Sequence, residues 1–276
     1  MIRAVKLAQL LKAELFFIHV IEFNSYYFSI DPNMQVDLPS LLNMKKSVEK
    51  KMIVLQKKIK REFGIKPKVF IASGDIHSEI ISYSQEKKID LIIMGTHGTS
   101  GFDEFFIGSN AQRVVTLSEI PVLTMQKKSS KIGFKNILVP IDNALHSREK
   151  VNLAMIFADL FGAKIHLIGL PDSSEKQELN KFKIKLESVE KIISSDKLPY
   201  KTTIVQGENL AQAALNYATK NKCDLIVINT GHESKSTGIF LGAFAQQIVN
   251  HSKIPVLSFK HSEGHFIIET QGYGIS

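Results

Sequence analysis

The chain has 276 residues, of which 44% are apolar, and a formal net charge of +8. This length predicts two ordinary domains with packed cores. No apolar run is long enough to span a bilayer, and the N-terminal segment lacks the small-residue cleavage site of a secretory signal. The single cysteine, Cys223, excludes an intrachain disulfide framework and favours a cytoplasmic protein. Most of the positive charge is lysine interleaved with glutamate along helical stretches, which favours solvated helix faces over a nucleic-acid surface.

The first half of the chain alternates predicted helices and strands. It opens on an amphipathic helical segment, MIRAVKLAQLLK, followed by an apolar strand, FFIHV, that ends at Val20. A long loop, Asn24 to Ser40, leads through a lysine-rich helix to the strand KPKVFIAS and the helix HSEIISYSQEKK. This loop could act as a lid or an interaction surface. The run DLIIMG, which starts at Asp90, is typical of a strand that is buried on both faces of a parallel sheet.

A glycine-bearing stretch, GTHGTSGFDEFFIGSN, follows this strand from Gly95 to Asn110. The next elements are a helix over Ser109 to Leu117 and the strand IPVLTM. Backbone N–H groups approach a phosphate best where no Cβ intervenes, and a helix N-terminus adds unpaired donors and partial positive charge. The stretch offers both, at the end of a strand where ligands of open α/β sheets bind. On spacing alone, a plain glycine connection with a serine helix cap is an equally good interpretation.

The second half repeats the first. The segment from Asp90 aligns without a gap with the segment from Asp224, at an offset of 134 residues. Each of the following has an identical counterpart: Leu91, Phe106, Gly108, Ala111, Gln112, Val115, Ser118, Ile120, Pro121, Val122 and Leu123. The repeat and the alternation of elements predict an α/β fold with two tandem doubly wound parallel-sheet domains. We expect them at 1–126 and 135–260, joined by a polar, lysine-rich linker.

The two halves differ at their starts. The second half opens on the strand ILVPI, whereas aligning Ala13 with Ala163 places Met1 opposite Val151, inside a helix. The first half therefore lacks a counterpart of Ile137 to Ser147. The first strand of a doubly wound sheet is usually central, so its loss leaves two strand edges without partners. We expect either a chain truncated at its N-terminus or a divergent first domain that closes the gap by rearrangement.

The glycine stretch resembles the nucleotide loop of universal stress proteins of the ATP-binding type. The shared spacing is carried by Gly95, Gly98, Gly108 and Ser109. The flanking DLIIMG strand, GSNAQRVV helix and IPVL strand are similar to the same family, as is ILVPID in the second half, so the resemblance covers both halves as a tandem pair. It implies a Rossmann-like fold of the adenine nucleotide alpha hydrolase type. It also implies a stress-response protein that binds ATP, with or without Mg, and hydrolyses it slowly at most.

The resemblance further implies which residues form the nucleotide site of the first domain. Val20 would contact adenine through its backbone, and Met94 and Gly95 would line the adenine or ribose side. The phosphates would be held by Gly98, Gly108, Ser109 and Asn110. The aspartate that ends the first strand in the family has no counterpart in the first half.

The second half keeps that aspartate as Asp142 but departs from the loop pattern. Asn229 and His232 replace the first two loop glycines, and Ala243 replaces the serine. Asp142 and the retained Gly242 could form at most a degenerate second site. We expect the second domain to bind no nucleotide or a different ligand.

Three hypotheses about function follow. The first is an ATP-binding regulatory protein, the second a nucleotide-free stress scaffold that acts through surfaces such as the loop at Asn24 to Ser40, and the third a slow ATPase. The sequence contains no Walker motif, zinc-ligand spacing or GxSxG elbow, so no catalytic residue or metal site is predicted. Family resemblance also implies that IPVLTM and IPVLSF pair within the chain as a pseudo-dimer, and that two chains could form a homodimer.

Overall fold

The computed structural model describes residues 1–22, 38–96, 107–126, 133–143, 147–231 and 241–260. They form mainly parallel sheets flanked by helices, which confirms the predicted α/β class. The chain divides into two units, one of Met1–Lys87 with 130–133 and one of Lys88–Ser129 with Phe134–Ser276. None of the described helices is long and apolar enough to cross a membrane.

The first unit is a two-stranded parallel sheet covered by helices. Its elements are α1 (Ile2–Leu11), β1 (Phe16–Glu22), α2 (Leu38–Phe63), β2 (Lys68–Gly74) and α3 (Ile76–Glu86). Asp75 caps α3 by accepting a 2.9 Å hydrogen bond from the Ser78 N–H. Tyr83 of α3 stacks on Phe70 of β2, with ring centroids 4.0 Å apart, and meets Phe16 of β1 edge-on at 6.3 Å. These aromatic contacts hold α3 on the sheet.

The second unit is built on a seven-stranded sheet in the order β3-β4-β9-β8-β5-β6-β7. Its elements are β3 (Ile92–Gly95), α4 (Ser109–Leu117), β4 (Val122–Met125), β5 (Asn136–Ile141), α5 (Ser147–Phe161), β6 (Lys164–Gly169), α6 (Lys176–Ser195), β7 (Tyr200–Ile204), α7 (Leu210–Lys220), β8 (Leu225–Asn229), α8 (Ala243–His251) and β9 (Val256–Phe259). All neighbouring strands are parallel except β4 and β9. The continuous apolar runs of the sequence form the core, as expected for strands that are covered on both faces.

The strand β5 is the centre of the second half. It pairs in parallel with β6 on one side and with β8 on the other, which gives the order β7-β6-β5-β8-β9 and confirms the doubly wound topology. Its apolar side chains Ile137, Leu138, Val139 and Ile141 are 0% exposed. The carboxylate of Asp224 fixes the start of β5 by accepting hydrogen bonds from the N–H groups of Lys135 and Asn136, at 3.0 and 2.9 Å.

Among the described residues, no strand of the first half corresponds to β5. The counterparts of β6 and β7, which are β1 and β2, form the two-stranded sheet, whereas the counterparts of β8 and β9, which are β3 and β4, belong to the seven-stranded sheet. The predicted lack of a first strand is therefore confirmed for the described part of the chain. The two units do not follow the predicted domain limits, since β3 and β4 share a sheet with the second half. The limits 1–126 and 135–260 remain a prediction.

The strands β4 and β9 join the two repeats. They pair antiparallel, with Val122, Leu123 and Thr124 opposite Ser258, Leu257 and Val256. The Thr124 hydroxyl also donates to the Val256 carbonyl oxygen at 3.2 Å. The predicted pairing of IPVLTM with IPVLSF is therefore confirmed, and the tandem domains fit an intrachain pseudo-dimer.

The buried thiol of Cys223 is expected to be unreactive in the folded chain. Cys223 lies just before β8 and is 5% exposed, and burial, with a smaller contribution from Asp224, raises the pKa of its thiol to about 12. Because only the thiolate attacks a disulfide reagent, we expect labelling at pH 8 to be at least about 100-fold slower in the native chain than in denaturant. The measurement is the rate of release of a chromogenic thiol leaving group. Native labelling at the denatured rate would contradict the burial of this side chain.

Candidate functional site

The carboxyl end of β3 and the start of α4 lie together in the second unit. Thr96, the residue after β3, is 6% exposed, and its N–H donates to the Met125 carbonyl oxygen at 3.1 Å. The Gly108 N–H in turn donates to the Thr96 carbonyl oxygen at 2.6 Å. These two bonds hold both ends of the glycine-bearing stretch in place. The N-terminus of α4 is therefore fixed beside the end of a parallel strand, where open α/β sheets bind ligands.

The N-terminus of α4 is left open by its own side chains. Gly108 is the N-cap residue, with φ −62° and ψ 147°, and none of the described side chains makes a capping hydrogen bond. Ser109 is the first helical residue and is exposed, so the serine-cap interpretation does not hold. The first turn contains no acidic residue. By contrast, α3 and α7 begin with side-chain caps from Asp75 and Asn209. The first N–H groups of α4 therefore remain available to an anion.

The predicted nucleotide residues are only partly brought together. Met94, half-buried, and Gly95, exposed, end β3, close to Gly108 and the first helical residues Ser109 and Asn110. Val20 lies on β1 in the first unit, and Gly98 lies outside the described residues, as does much of the predicted lid loop.

The second half shares two features of this backbone frame, with different side chains. The Thr230 N–H donates to the Phe259 carbonyl oxygen at 2.8 Å, as Thr96 does to Met125, and Gly242 is the N-cap of α8 with φ −57° and ψ 146°. The Asn229 side chain, at the position of Gly95, accepts a 2.8 Å hydrogen bond from the Gly231 N–H. His232 lies outside the described residues. Because the frame persists with asparagine, the fold does not require glycine at this strand end.

The carboxyl end of β5 carries two lysines that the motif analysis did not identify. Lys150 of α5 is 4% exposed, and its ammonium donates to the Pro140 carbonyl oxygen at 2.7 Å and lies 3.9 Å from Asp142 Oδ1. Lys185 of α6 donates to the Asp142 carbonyl oxygen at 2.9 Å. The sequence contains one indication that Lys150 is buried, since this lysine precedes Ala154 by one helical turn and Ala154 lies on the buried face of α5. The predicted remnant of a second site, Asp142, therefore faces an internal cation.

The charge of Lys150 is expected to make stability depend on pH. Burial lowers the pKa of this lysine from 10.5, an effect that Lys185 reinforces and Asp142 opposes. Between the lowered pKa and 10.5, the unfolded chain binds a proton that the folded chain does not, so Lys150 contributes stability that increases as the pH rises through this window.

The test compares urea unfolding of the native chain and of a Lys150→Met variant at several alkaline pH values. The stability of the native chain relative to the variant should increase towards pH 10.5. Lys183→Met, at an exposed position of α6, controls for the loss of one lysine. A pH-independent difference between the native chain and Lys150→Met would contradict the buried position of this ammonium group.

In the described part of the chain, no group of three or more His, Cys, Asp or Glu side chains could hold a metal ion. What the frame at β3 and α4 offers chemically is a set of backbone N–H donors next to an exposed glycine. Such an arrangement binds anions, and phosphate in particular.

Comparison with known proteins points to one family for both halves. The model of the universal stress protein family matches residues 2–126 and 133–260. The universal stress protein MJ0531 of Methanocaldococcus jannaschii is 28% identical over 130 residues, which are 45% of this chain and 71% of that protein. MJ0577 from the same organism is 36% identical over 74 residues, which are 27% of this chain and 46% of that protein.

Among solved structures, that of a universal stress protein from Archaeoglobus fulgidus has a similar fold. It superposes with a TM-score of 0.73 at 22% sequence identity, over 94% of this chain and 92% of that one. At this identity the match establishes the Rossmann-like fold of two tandem domains.

Proposed function

Because the chain belongs to the universal stress protein family, we propose that its first domain, within 1–126, binds ATP as a regulatory ligand at the carboxyl end of β3. The second domain, within 135–260, would bind no nucleotide. Hydrolysis would be slow at most. A cytoplasmic location, favoured by the single cysteine, and a homodimer of chains belong to the same proposal.

The observation that carries this proposal is the hydrogen bond from the Gly108 N–H to the Thr96 carbonyl oxygen, at 2.6 Å. It places an uncapped helix N-terminus next to Gly95, at the end of a buried strand. The N–H groups of Ser109 and Asn110 would hold phosphate oxygens, and the Ser109 hydroxyl would add a donor. Gly98 would supply a further backbone donor, and Met94 would line the adenine or ribose side. A Mg ion would accompany the phosphates rather than occupy a protein cluster.

The second half supports the assignment of the nucleotide to the first. Its helix α8 starts at Gly242 with nearly the same backbone angles, but Ala243 lacks the hydroxyl of Ser109. The Asn229 side chain is present where Gly95 leaves the backbone open. At the end of β5, the Asp142 carboxylate faces the buried ammonium of Lys150. The first two differences remove features that the first half offers to a phosphate, and the third engages the aspartate of the second half with a lysine.

The test is an equilibrium titration of the full chain with ATP, with and without Mg, in which calorimetry measures the binding. We expect saturable binding of one ATP per chain and turnover no faster than slow background hydrolysis. Binding of two ATP molecules per chain would contradict the proposal that the second domain binds no nucleotide. No binding would overturn the proposal unless a chain extended at its N-terminus by a copy of 135–150, which supplies a strand, an aspartate and the connection to the first helix, binds ATP.

A nucleotide-free scaffold is the second candidate function. It is favoured by the lack of a described counterpart of β5 in the first half, since the family aspartate that follows this strand is then missing as well. Failure of both the native and the extended chain to bind ATP would select this candidate.

A further inference from the structure

The helix α2 turns a strongly basic face to solvent. It contains seven lysines and one arginine against two glutamates. The side chains that recur at helical spacing on its inner side are buried or half-buried: Val48, Met52, Leu55, Ile59 and Phe63. The residues that recur at the same spacing on the opposite side are all exposed: Lys46, Lys50, Ile53, Val54, Lys57 and Arg61. We call this second set the basic face.

Most charges of the basic face have no acidic partner among the described residues. In this part of the chain, Lys46, Lys50 and Lys57 make no ion pair, and Arg61 lies 3.6 Å from the exposed Glu62. Helical spacing places both glutamates of α2 outside the row that the basic face forms. The face therefore carries a net positive charge that can attract an anionic partner.

Two aliphatic side chains lie at the centre of the basic face. Ile53 is 49% exposed and Val54 is 66% exposed, and they lie between Lys50 and Lys57 in the helix. A lysine can place its ammonium at lipid phosphates while neighbouring aliphatic side chains enter the acyl boundary. Nucleic acids would instead favour aromatic side chains for stacking or amides for base edges, and the basic face contains neither. The mixture of lysine and aliphatic residues therefore fits a lipid surface better than a nucleic acid.

The repeat shows that the fold does not require such a face. In the second half, α6 connects β6 and β7 as α2 connects β1 and β2, and it contains five lysines against three glutamates. Its outward row combines one basic and one acidic residue with two uncharged ones: Asn180, Ile184, Glu187 and Lys191. The packing of this helix on the sheet therefore leaves the outward charge free to vary, and the basic face belongs to the first half alone.

We propose that the basic face of α2 binds the surface of a membrane that contains anionic phospholipids, with the helix lying parallel to the membrane plane. The lysines and Arg61 would contact lipid phosphates, and Ile53 and Val54 would enter the boundary between headgroups and acyl chains. Basic residues close to an anionic leaflet each add to the affinity, and the attraction falls off within a Debye length. Binding is therefore peripheral, reversible and sensitive to salt, and it does not depend on ATP.

The test is co-sedimentation of the full chain with lipid vesicles. We expect saturable binding to vesicles of phosphatidylglycerol and phosphatidylcholine in about equal parts, and at least about tenfold weaker binding to phosphatidylcholine alone. Raising the salt concentration from about 0.1 M to about 1 M shortens the Debye length from about 10 Å to about 3 Å and should release most of the bound chain.

The repeat supplies matched variants for the charges and for the aliphatic pair. Lys50→Gln/Lys57→Gln should weaken binding at least about tenfold, whereas Lys183→Gln/Lys191→Gln, with the same net charge and on exposed positions of α6, should change it less than about threefold. Ile53→Ser/Val54→Ser should weaken binding at least about threefold. Ile184→Ser, at a position of α6 that is 67% exposed, should leave it unchanged.

Acetylation of lysine, located by mass spectrometry, shows whether another segment of the chain covers the basic face. Lys50 and Lys57 should react in the native chain as fast as in denaturant, and vesicles should protect them. Slow reaction without vesicles would overturn the proposal, as would a lack of binding to anionic vesicles or equal losses in the α2 and α6 variants. Tighter binding to an oligonucleotide, unaffected by Ile53→Ser/Val54→Ser, would also overturn it, because the face would then serve a nucleic acid.

Discussion

Replacing Gly108 by glutamate is expected to abolish ATP binding, with a loss of affinity of at least about 100-fold, equivalent to about 2.7 kcal/mol. Gly108 is the N-cap of α4, and its N–H donates a hydrogen bond to the Thr96 carbonyl oxygen. This bond joins the two ends of the glycine-bearing stretch. A carboxylate at this position would add negative charge where the phosphates of ATP need donors. Repulsion between unit charges a few ångströms apart near a protein surface is on the order of 4 kcal/mol, which is enough for the predicted loss.

The same substitution should leave the fold intact. Gly108 has φ −62° and ψ 147°, an extended conformation that other residues adopt without strain. An acidic side chain at a helix N-terminus also interacts favourably with the helix dipole. Urea unfolding of Gly108→Glu should therefore match that of the native chain within about 1 kcal/mol. If the variant lost ATP binding together with much of its stability, the loss of binding would come from unfolding and not from the new side chain occupying the phosphate position.

The repeat provides a matched control for Gly108→Glu. Gly242 is the N-cap of α8 with φ −57° and ψ 146°, and Gly242→Glu introduces the same charge at the same kind of position. Because we propose that the second half binds no nucleotide, the Gly242→Glu variant should bind ATP with the affinity of the native chain. An equal loss in both variants would contradict the assignment to the first half, and retained affinity in Gly108→Glu would contradict the site itself. Gly98→Glu should behave like Gly108→Glu.

The sequence was sufficient to predict the repeated elements because their signals are local. Continuous apolar runs marked strands such as β3 and β8, and the alignment of the two halves predicted that β4 and β9 play equivalent roles. The lack of a first strand in the first half could also be predicted, since an alignment shows a gap as clearly as a match.

Other features depend on contacts between distant parts of the chain. The position of Lys150 beside Pro140 and Asp142 could not be inferred from charge patterning, because a lysine in a helix is usually solvated. The N-cap of α4 is Gly108 and not Ser109, and the Gly108 N–H bonds to the Thr96 carbonyl oxygen at the other end of the glycine-bearing stretch. Such a contact between separated residues is not visible in a local motif. The separation of β1–β2 from the seven-stranded sheet follows from strand pairing over long distances in the sequence, which a motif does not encode.

Replacing Asp224 by alanine is expected to destabilise the chain by about 2–4 kcal/mol. The Asp224 carboxylate accepts hydrogen bonds from the Lys135 N–H at 3.0 Å and the Asn136 N–H at 2.9 Å, and its own N–H donates to the Asn136 carbonyl oxygen at 2.9 Å. Alanine would keep the last bond but leave two backbone donors at the start of β5 without an acceptor. The measurement is urea unfolding, with amide hydrogen exchange at Ile137 and Val139 to localise the effect in β5.

The repeat again supplies the control, since Asp90 occupies the equivalent position at the offset of 134 residues. Asp90 is exposed, and in the described part of the structure its carboxylate has no strand start of the β5 type to accept from. Asp90→Ala should therefore change stability by less than about 0.5 kcal/mol. If both variants lost several kcal/mol, Asp90 would have a partner of the same kind as Asp224. A large cost for Asp224→Ala alone would show that this aspartate serves the central strand, which among the described residues only the second half provides.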